Sequence, residues 1–496
     1  MIRILSVDNM RRSDAHTIAG GVPGRELMLR AGRGVLGAAE WKAPVAVVCG
    51  SGNNAGDGYV IAKLLRDAGT GCTVFLLSDR FSEDSRYWYD ACREAGVLCR
   101  PWEAGTDLSS FGTVVDCIFG TGFHGAVTGT AKEAVDAINA SGAFVVSVDI
   151  NSGLNGDSGM AETCVRSDLT VSVGDFKPGH FLNMAKDVMK AKTNCDIGIE
   201  PVDRAYALVE AADLAPLFAP RKNFSNKGTY GYTALIGGSK RYSGAIRLAG
   251  MANATMRAGA GVVKLAVPDV LFSVVAPAVL ESTVFPLSDD GEEVVFAEKE
   301  IAELIANVRT AAFGMGVGTS AGAAGILAYL LEHFTGTLIV DADGLNLLSR
   351  MDPEKVRSAS CSLLLTPHLK EFSRLSGLTT EEILASPVAA AENYARENRV
   401  ILLLKGPATV ITDGSRTYLT DTGCAGMATA GSGDVLSGIL AAVAAYAPDP
   451  LLGTAAAAFV NGRAGELAQS RFGSVSMIAG DTVSCIPEVI RSLENA

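Results

Sequence analysis

A glycine-rich stretch that ends in an aspartate stands directly before a long apolar run near the carboxyl end of the chain. It contains Gly431, Ser432, Gly433 and Asp434, and "VLSGILAAVAAYA" follows. A helix that begins there leaves backbone N–H groups unpaired at the positive end of its dipole, so it can bind a phosphate. A carboxylate beside that phosphate repels it unless the carboxylate accepts a proton or binds a metal. The alternative is a helix cap formed by Ser432 or Asp434.

Polar residues also follow three apolar runs in the first half of the chain. Asn53 and Asn54 lie in "GSGNNAGDG", Asp116 lies in "VVDCIFGTG", and Asp149 and Ser152 lie in "VVSVDINSG". A set of hard oxygens of this kind can hold a cation or a polyhydroxylated ligand. The alternative for each residue is loop capping by Asn or Asp. The glycine-rich loop "GSGNNAGDG" lacks the lysine of a Walker loop, so by itself it is only weak evidence for dinucleotide binding.

Alternating strands and helices must position these residues. The runs "VAVVC", "CTVFLLS", "TVVDCIFG", "AFVVSVDI" and "DLTVSVG" predict parallel strands joined by crossover helices, with ligand loops at their carboxyl ends. A second series begins at "YTALIGGS" and continues through "GVVKLAVP", "TAAFGMGVG", "GTLIVDADG", "CSLLLTPH" and "VILLLKGPATVIT". The second series does not repeat the first. We therefore expect two different α/β domains with a boundary near residue 220.

Composition narrows the class of protein. The 496 residues include 42 Lys+Arg and 54 Asp+Glu, for a net charge of -12, which argues against a nucleic-acid partner. The ten cysteines are scattered without metal-site spacing, as expected for reduced thiols. The first residues lack the apolar core of a secretory signal, and no apolar run reaches the ~20 residues that span a bilayer. We expect a soluble, cytoplasmic protein with no membrane partner.

The stretch "SVDNMRRSDAHTIAGGVPGRELMLRAGRGVLGAAEW" predicts helices outside the first α/β unit. Its apolar positions would need a partner surface there. We therefore expect a homo-oligomer.

The motifs "GNNAGDG", "DCIFGTG", "VDINSGLNGDSG" and "VGDFKPGHFL" resemble the NAD(P)H-hydrate epimerase domain, over residues 1–215. The resemblance implies a Rossmann-like three-layer sandwich and a potassium ion (K+) held by Asn54, Asp116 and Ser152. It makes Asp149 a catalytic residue. The implied hydrate site consists of Asn53, Asn54, Ala55, Gly56, Asp57, Gly120, Thr121, Gly122, Phe123, His124, Gly125, Ala126 and Asp149. The sequence departs from the family at Leu29, Ala55 and Asn151, where glutamate, glycine and proline are usual.

The second half is similar to the ADP- or ATP-dependent NAD(P)H-hydrate dehydratase, a ribokinase-like α/β fold, over residues 222–496. The resemblance implies that Gly431 to Gly433 form an anion hole and that Asp434 is the base. The hydrate would contact Ala245, Gly318, His368 and Asp434. The nucleotide, with Mg2+ as a further cofactor, would be bound by Lys405, Gly406, Pro407, Ala408, Thr409, Gly431, Ser432 and Gly433.

Four residues of the second half have structural alternatives. Lys405 carries a charge that would offset the phosphates, but it can also be a solvated lysine at a strand end. His368 can be a helix cap. Asp341 and Asp343 can be helix caps or part of the metal and phosphate environment. Departures from the family are sharper here than in the first half: Leu369, Lys370, Cys424, Ala425, Ala430 and Asn461.

We therefore expect a bifunctional enzyme of metabolite repair. It would epimerise the R and S hydrates of NADH and NADPH, called NADHX and NADPHX, and would dehydrate the S hydrate at the expense of ADP or ATP. One alternative is a ribokinase-class kinase of a vitamin alcohol with an accessory first domain. The other is a non-catalytic nucleotide-binding regulator. The sequence does not choose between ADP and ATP.

Overall fold

The computed structural model describes residues 1–250 and 254–496. Two compact units divide the chain. Residues 3–206 form the N-terminal unit, and residues 207–496 with Met1 and Ile2 form the C-terminal unit.

A seven-stranded parallel sheet forms the centre of the N-terminal unit, in the order β4-β3-β2-β5-β6-β7-β8. The strands up to Cys195 are β1 (Ile2–Ile4), β2 (Val45–Cys49), β3 (Cys72–Leu76), β4 (Leu98–Pro101), β5 (Thr113–Cys117), β6 (Phe144–Val148), β7 (Ser167–Val173) and β8 (Met189–Cys195). The helices are α1 (Val7–Ala19), α2 (Gly24–Ala38), α3 (Asn53–Asp67), α4 (Glu83–Glu94), α5 (Gly129–Ala140) and α6 (Ala185–Val188).

Helices cover both faces of this sheet. Alternate residues of β2 point to opposite faces, so Val47 packs in one core with α2 and α3 while Val48 packs in another with α5. Strands that are buried on both faces read as continuous β-branched runs. For this reason the sequence located β2, β3, β5, β6 and β7, and the predicted three-layer architecture is confirmed. It missed β4, whose residues are mostly exposed, and β8.

The N-terminal helices do not lie outside this unit as predicted. Leu27, Ala31 and Val35 of α2 are buried in the same core as β2 and α3. The interpretation that α2 needs a partner surface is therefore wrong, because its apolar side already packs against its own unit.

The C-terminal unit contains a second sheet, in the order β9-β18-β17-β16-β15-β14-β13-β10-β11-β12. Its strands are β9 (Tyr206–Leu208), β10 (Tyr232–Ile236), β11 (Val262–Pro268), β12 (Thr283–Leu287), β13 (Thr310–Phe313), β14 (Thr337–Val340), β15 (Ser362–Leu365), β16 (Ile401–Leu404), β17 (Thr409–Thr412) and β18 (Thr417–Thr420). From β16 to β12 the strands are parallel. The run "VILLLKGPATVIT" is a hairpin, because β17 turns back antiparallel to β16.

The helices of this unit are α7 (Ala211–Leu214), α8 (Ser243–Gly250), α9 (Ala254–Arg257), α10 (Phe272–Val275), α11 (Glu298–Ile305), α12 (Ala321–His333), α13 (Asp343–Leu348), α14 (Pro353–Arg357), α15 (Leu369–Ser376), α16 (Thr380–Ala385), α17 (Pro387–Asn398), α18 (Ser432–Tyr446), α19 (Pro450–Phe472) and α20 (Ala479–Glu494). Helix α18 is buried on nearly all sides from Val435 to Val443 and packs against α8, α19, β10 and β13. A helix that is apolar all round belongs in a core. The buried part of α18 therefore fixes the position of its first turn.

No helix among residues 1–250 and 254–496 combines the length and the apolar character needed to cross a membrane.

Candidate functional site

The polar strand ends of the N-terminal unit meet around one cavity of about 760 Å³. Helix α3 begins directly after β2, the loop after β5 faces it, and Asp149 follows β6. Helices α1 and α2 supply the opposite wall, including Met10, Asp14 and Met28. The predicted hydrate-site residues that line the cavity are Asn53, Asn54, Asp57, Gly120, Thr121, Gly122, Phe123, His124 and Asp149.

Four predicted hydrate-site residues are not part of the cavity lining. Ala55 is buried in the core, and Gly56 packs closely against Met28, where a Cβ would stand 2.7 Å from the sulfur. Gly125 and Ala126 are exposed beyond the cavity.

Asp149 forms a buried ion pair with a lysine that the sequence reasoning missed. Lys177 Nζ lies 2.6 Å from Asp149 Oδ1, its side chain is only 1% exposed, and it also donates to the Val173 carbonyl. The Thr121 N–H donates to Asp149 Oδ2 at 3.0 Å. Burial acts to raise the pKa of Asp149, but the Lys177 charge and these hydrogen bonds hold it below its ordinary value. The site therefore contains an ionised carboxylate.

His180 fixes the backbone of this ion pair. The Lys177 N–H donates to His180 Nδ1 at 3.0 Å, so the ring proton is on Nε2, which lies 2.7 Å from the Asp149 carbonyl oxygen. Burial, and then the charge of Lys177, lower the pKa of His180 to about 4. The imidazole is therefore neutral and serves as a donor. The signal for both residues in the sequence was "FKPGH", which follows the predicted strand β7.

A second carboxyl group, Asp57, lines the same cavity in a different state. It is 9% exposed and makes no hydrogen bond or ion pair with any residue of 1–250 or 254–496. Burial, and then the charges of Asp149 and Asp14, raise its pKa well above the ordinary value. Two carboxyl groups whose surroundings push their pKa values apart are the usual basis for an acid and a base in one site.

The three residues predicted to hold potassium are all buried, and one of them, Asn54, lines this cavity. Asp116 is fully buried and accepts hydrogen bonds from the N–H of Ser152 and the hydroxyls of Ser147 and Ser152. Burial raises the pKa of Asp116, although these hydrogen bonds act to lower it. Both polar atoms of the Asn54 amide are buried, and neither has a partner within the described residues. An amide oxygen that is buried without a partner is suited to bind a hard cation.

The departure from the family at Asn151 has a structural explanation. Its side chain is fully buried and donates to the carbonyls of Val165 and Val188, while Thr170 donates to its oxygen at 2.6 Å. The amide is therefore satisfied, and it replaces the usual proline with cross-links between loops and strand β7.

In the C-terminal unit, the glycine-rich start of helix α18 has no side-chain cap. Gly431 is the N-cap of α18 with φ 93°, and no side chain caps the helix. The Ser432 hydroxyl is buried and has no partner in the part of the chain that the structure describes. The helix-cap interpretation of Ser432 and Asp434 is therefore wrong, and the first N–H groups are available to an anion.

Lys405 and Asp341 lie beside this helix start. Lys405 Nζ is 2.9 Å from Asp341 Oδ1, and the Ser437 hydroxyl donates to Asp341 Oδ2 at 2.8 Å. A Cβ at Gly433 would stand 3.6 Å from both Lys405 Nζ and Asp341 Oδ2. The Lys405 side chain is 23% exposed, so it is not the solvated lysine of the alternative interpretation.

Asp434, in the first turn of α18, differs from its neighbour Asp341. Burial, and then repulsion from Asp341, raise the pKa of Asp434 to about 7, although Lys405 opposes this. For Asp341, burial acts in the same direction, but Lys405 and Ser437 hold its pKa below the ordinary value. Asp434 is thus the carboxyl group suited to accept a proton near neutral pH.

His368 caps helix α15, which is one of the two roles predicted for it. It also lies next to Lys405. Its Nδ1 accepts from the N–H groups of Lys370 and Glu371, at 3.1 and 3.3 Å. Glu371 Oε2 accepts a hydrogen bond from the His368 N–H and lies 3.9 Å from Lys405 Nζ. The His368 side chain is 50% exposed, so the ring can also contact a ligand, and its Nε2 lies 3.5 Å from Glu371 Oε1. The sequence reasoning did not identify Glu371 as part of this network.

The other predicted residues flank this centre. Gly318 donates its N–H to Asp343 Oδ2 at 3.0 Å. A Cβ at Gly316 would lie 3.1 Å from the Cβ of Ala245, so Ala245 faces the same loop. The segment 405–408 is the turn of the β16–β17 hairpin, and Thr409 begins β17.

Comparisons with known proteins cover both units. The family model for NAD(P)H-hydrate dehydratase matches residues 233–488, and the model described as YjeF-related protein N-terminus matches residues 24–179. A bifunctional NAD(P)H-hydrate repair enzyme from Archaeoglobus fulgidus is 34% identical over 495 residues, covering 99% of each chain. The enzyme of the same description from Escherichia coli is 30% identical and covers 94% of this chain and 89% of its own length.

A solved structure matches the C-terminal unit. The ADP/ATP-dependent NAD(P)H-hydrate dehydratase from Bacillus subtilis, co-crystallised with ATP and Mg2+, is 25% identical with a TM-score of 0.52, covering 58% of this chain and 99% of that one. This match confirms the ribokinase-like fold class. Because relatives of 30% identity or more align along almost the entire chain, and family models match both halves, the protein belongs to the family of bifunctional NAD(P)H-hydrate repair enzymes.

Proposed function

We propose that each unit carries one half of the repair. The N-terminal unit, residues 3–206, would interconvert the R and S epimers of NADHX and NADPHX. Residues 222–496 would form the domain that dehydrates the S hydrate with ADP or ATP. The observation that carries the proposal is the uncapped start of α18, where Asp434, with a pKa of about 7, stands next to Lys405.

In the epimerase site, Asp149 would act as the base. The hydroxyl-bearing carbon of the hydrate is bonded to the ring nitrogen, so removal of the hydroxyl proton can open that carbon–nitrogen bond to an aldehyde. Asp149, kept ionised by Lys177, would take this proton, and Asp57 would supply one to the nitrogen. The nitrogen then attacks the opposite face of the aldehyde carbonyl, which gives the other epimer. Asp149 returns its proton to the oxygen, and Asp57 recovers its proton from the nitrogen.

Asn54, Asp116 and Ser152 fit the potassium ion that the family resemblance implies. They supply oxygen atoms, and the Asn54 amide has no other partner among the described residues. When bound, the ion supplies a positive charge that keeps Asp116 ionised and orders the loops around the cavity.

We expect epimerisation to require a small monovalent cation. Replacing potassium by tetramethylammonium at constant ionic strength should slow conversion of the R to the S hydrate, and added potassium should restore it along a saturation curve. Asp116→Asn should shift that curve to higher potassium, with circular dichroism as the control for folding. A rate that is the same in thoroughly potassium-free buffer would exclude the site.

In the dehydratase site, the hydrate hydroxyl would attack the terminal phosphorus of the nucleotide while Asp434 accepts its proton. The N–H groups of Gly431 to Gly433 would hold the transferred phosphate, and Lys405 would offset its charge. The lone pair of the ring nitrogen then displaces phosphate, a far better leaving group than hydroxide, and leaves an iminium ion. Water takes a proton from the neighbouring ring carbon, which restores the dihydropyridine.

The ligands of this site would lie on both sides of Asp434. The hydrate would contact Ala245, Gly318 and His368, and the segment 405–409 would bind the nucleotide. The Asp343 carboxylate has no cationic partner among the described residues and fits a magnesium ion that accompanies the nucleotide phosphates.

The pKa of Asp434 predicts the pH dependence of dehydration. A base must be ionised, so kcat/KM for the S hydrate should be low below pH 6, rise about tenfold per unit, and level off above a pH of about 7. Because kcat/KM for the S hydrate reports the enzyme before the hydrate binds, the inflection belongs to Asp434 without the hydrate. A flat profile from pH 5 to 9, measured by recovery of dihydropyridine absorbance, would contradict the assignment.

The same assay tests the proposed function and its nucleotide. Pure S hydrate with either ADP or ATP should regain the dihydropyridine absorbance and release inorganic phosphate in equal amounts. A stable phosphorylated product would indicate a kinase, and nucleotide binding without turnover would indicate a regulator. The homo-oligomer and the cytoplasmic location remain predictions, the first without support from α2, whose apolar face is buried in its own unit.

A further inference from the structure

The carboxylate of Glu293 lies directly against Gly318, one of the positions expected to contact the hydrate. A Cβ added at Gly318 would stand 2.5 Å from Cδ, Oε1 and Oε2 of Glu293, closer than such atoms approach in proteins. Gly318 also has φ 81°, a conformation that suits glycine. The carboxylate therefore occupies the space that any side chain at this position would need.

The loop between β12 and α11 holds Glu293 in place. Asp289 and Val294 form a β-bridge across it, and within it the Glu293 N–H donates to Asp290 Oδ1 at 2.9 Å. Val294 is 2% exposed, and a Cβ at Gly322 of α12 would stand 2.0 Å from its carbonyl oxygen. The backbone on both sides of Glu293 is thus anchored, so its position over Gly318 is built into the fold.

The Glu293 carboxylate lacks a donor. It makes no hydrogen bond or ion pair with the residues described, and the nearby N–H of Gly318 already donates to Asp343. Its neighbour Glu292, in contrast, pairs with Lys240 at 2.5 Å on the surface. An ionised carboxylate only accepts hydrogen bonds, so this one is open to a ligand that brings donors.

We propose that Glu293 is a substrate-binding residue of the dehydratase site that accepts hydrogen bonds from the hydrate. The proposal rests on the proposed function, which places the hydrate at Gly318. Two groups next to the reacting ring offer neutral donors, the carboxamide NH2 and the ribose hydroxyls. The Glu293 carboxylate would repel the phosphates of the hydrate, so the molecule would bind with its ring end at Gly318 and its phosphates directed away.

The test compares Glu293→Ala and Glu293→Gln with the matched control Glu292→Gln. With saturating nucleotide, the KM for the S hydrate should rise about ten- to a hundredfold in Glu293→Ala, the range for a hydrogen bond to a charged group, and less in Glu293→Gln, whose carbonyl still accepts. kcat and the KM for the nucleotide should stay within about twofold of the wild type. The control should match the wild type in all three.

An unchanged hydrate KM in Glu293→Ala, or equal increases for hydrate and nucleotide, would overturn this assignment while leaving the proposed function standing. A wild type that never dehydrates the S hydrate would overturn the proposed function. Calorimetric binding of the S hydrate to the same variants then decides the role of Glu293 independently.

A substrate analogue separates the two donor groups. The hydrate of reduced 3-acetylpyridine adenine dinucleotide has a methyl ketone in place of the amide. If the carboxamide is the donor, wild type and Glu293→Ala should bind this analogue equally. If the ribose hydroxyls are the donors, the difference between the two proteins should persist.

Discussion

Replacing Asp434 by asparagine is expected to slow nucleotide-dependent dehydration of the S hydrate by about two to four orders of magnitude, the usual contribution of a general base. The amide keeps the shape of the carboxylate but cannot take the hydroxyl proton. Because of the surroundings of Asp434, this substitution should slow the chemical step without disturbing the fold. Its side chain caps nothing, and α18 is held by the apolar residues from Val435 onward. Single-turnover release of phosphate would measure the effect.

Nucleotide binding should survive this change and can tighten. Asp434 is a carboxyl group beside the expected phosphate position, so its neutralisation removes repulsion. Epimerisation in the same protein is the internal control, because that site is built from another sheet. Dehydration within tenfold of the wild-type rate would reject Asp434 as the base. Loss of both activities in a folded variant would require a shared site in place of two.

Replacing Asp149 by asparagine is expected to give the opposite pattern. Epimerisation should fall by a similar two to four orders of magnitude, because the amide cannot accept the proton. Dehydration of pure S hydrate should be unchanged, while the R hydrate should accumulate once spontaneous interconversion is subtracted. Asparagine is suited to the backbone here, since Asp149 has φ 67° and Asn tolerates that region better than most residues.

At Asp149, a loss of stability must be distinguished from a loss of catalysis. Asp149→Asn leaves the Lys177 ammonium, 1% exposed, without its counter-ion, and an unpaired buried charge typically costs about 3–5 kcal/mol. Adding Lys177→Met should restore part of the lost thermal stability without restoring epimerisation. If the double variant regained epimerisation, the ion pair would be structural and Asp149 would not be the base.

Most of the two sheets could be located from the sequence because a parallel strand that is buried on both faces has a distinctive local composition. The same holds for the start of α18, where small residues precede an apolar run. The edge strand β4 and strand β12 escaped prediction, because they are partly exposed and lack a continuous apolar run. The sequence also misplaced α2, since an apolar helical face looks the same whether it meets its own core or a partner.

By itself the sequence determined the two α/β series, the glycine-rich start before Asp434, and the strand ends that carry polar residues, because each is a pattern over a few consecutive residues. Only the tertiary structure decided which charges meet. Lys177 pairs with Asp149 across 28 positions, Lys405 with Asp341 across 64, and Ser437 with Asp341 across 96. Such pairings follow from the order of strands in the sheet, which local periodicity does not encode. The protonation states of Asp57, Asp149 and Asp434 follow from those pairings and from burial, so they too are properties of the folded chain.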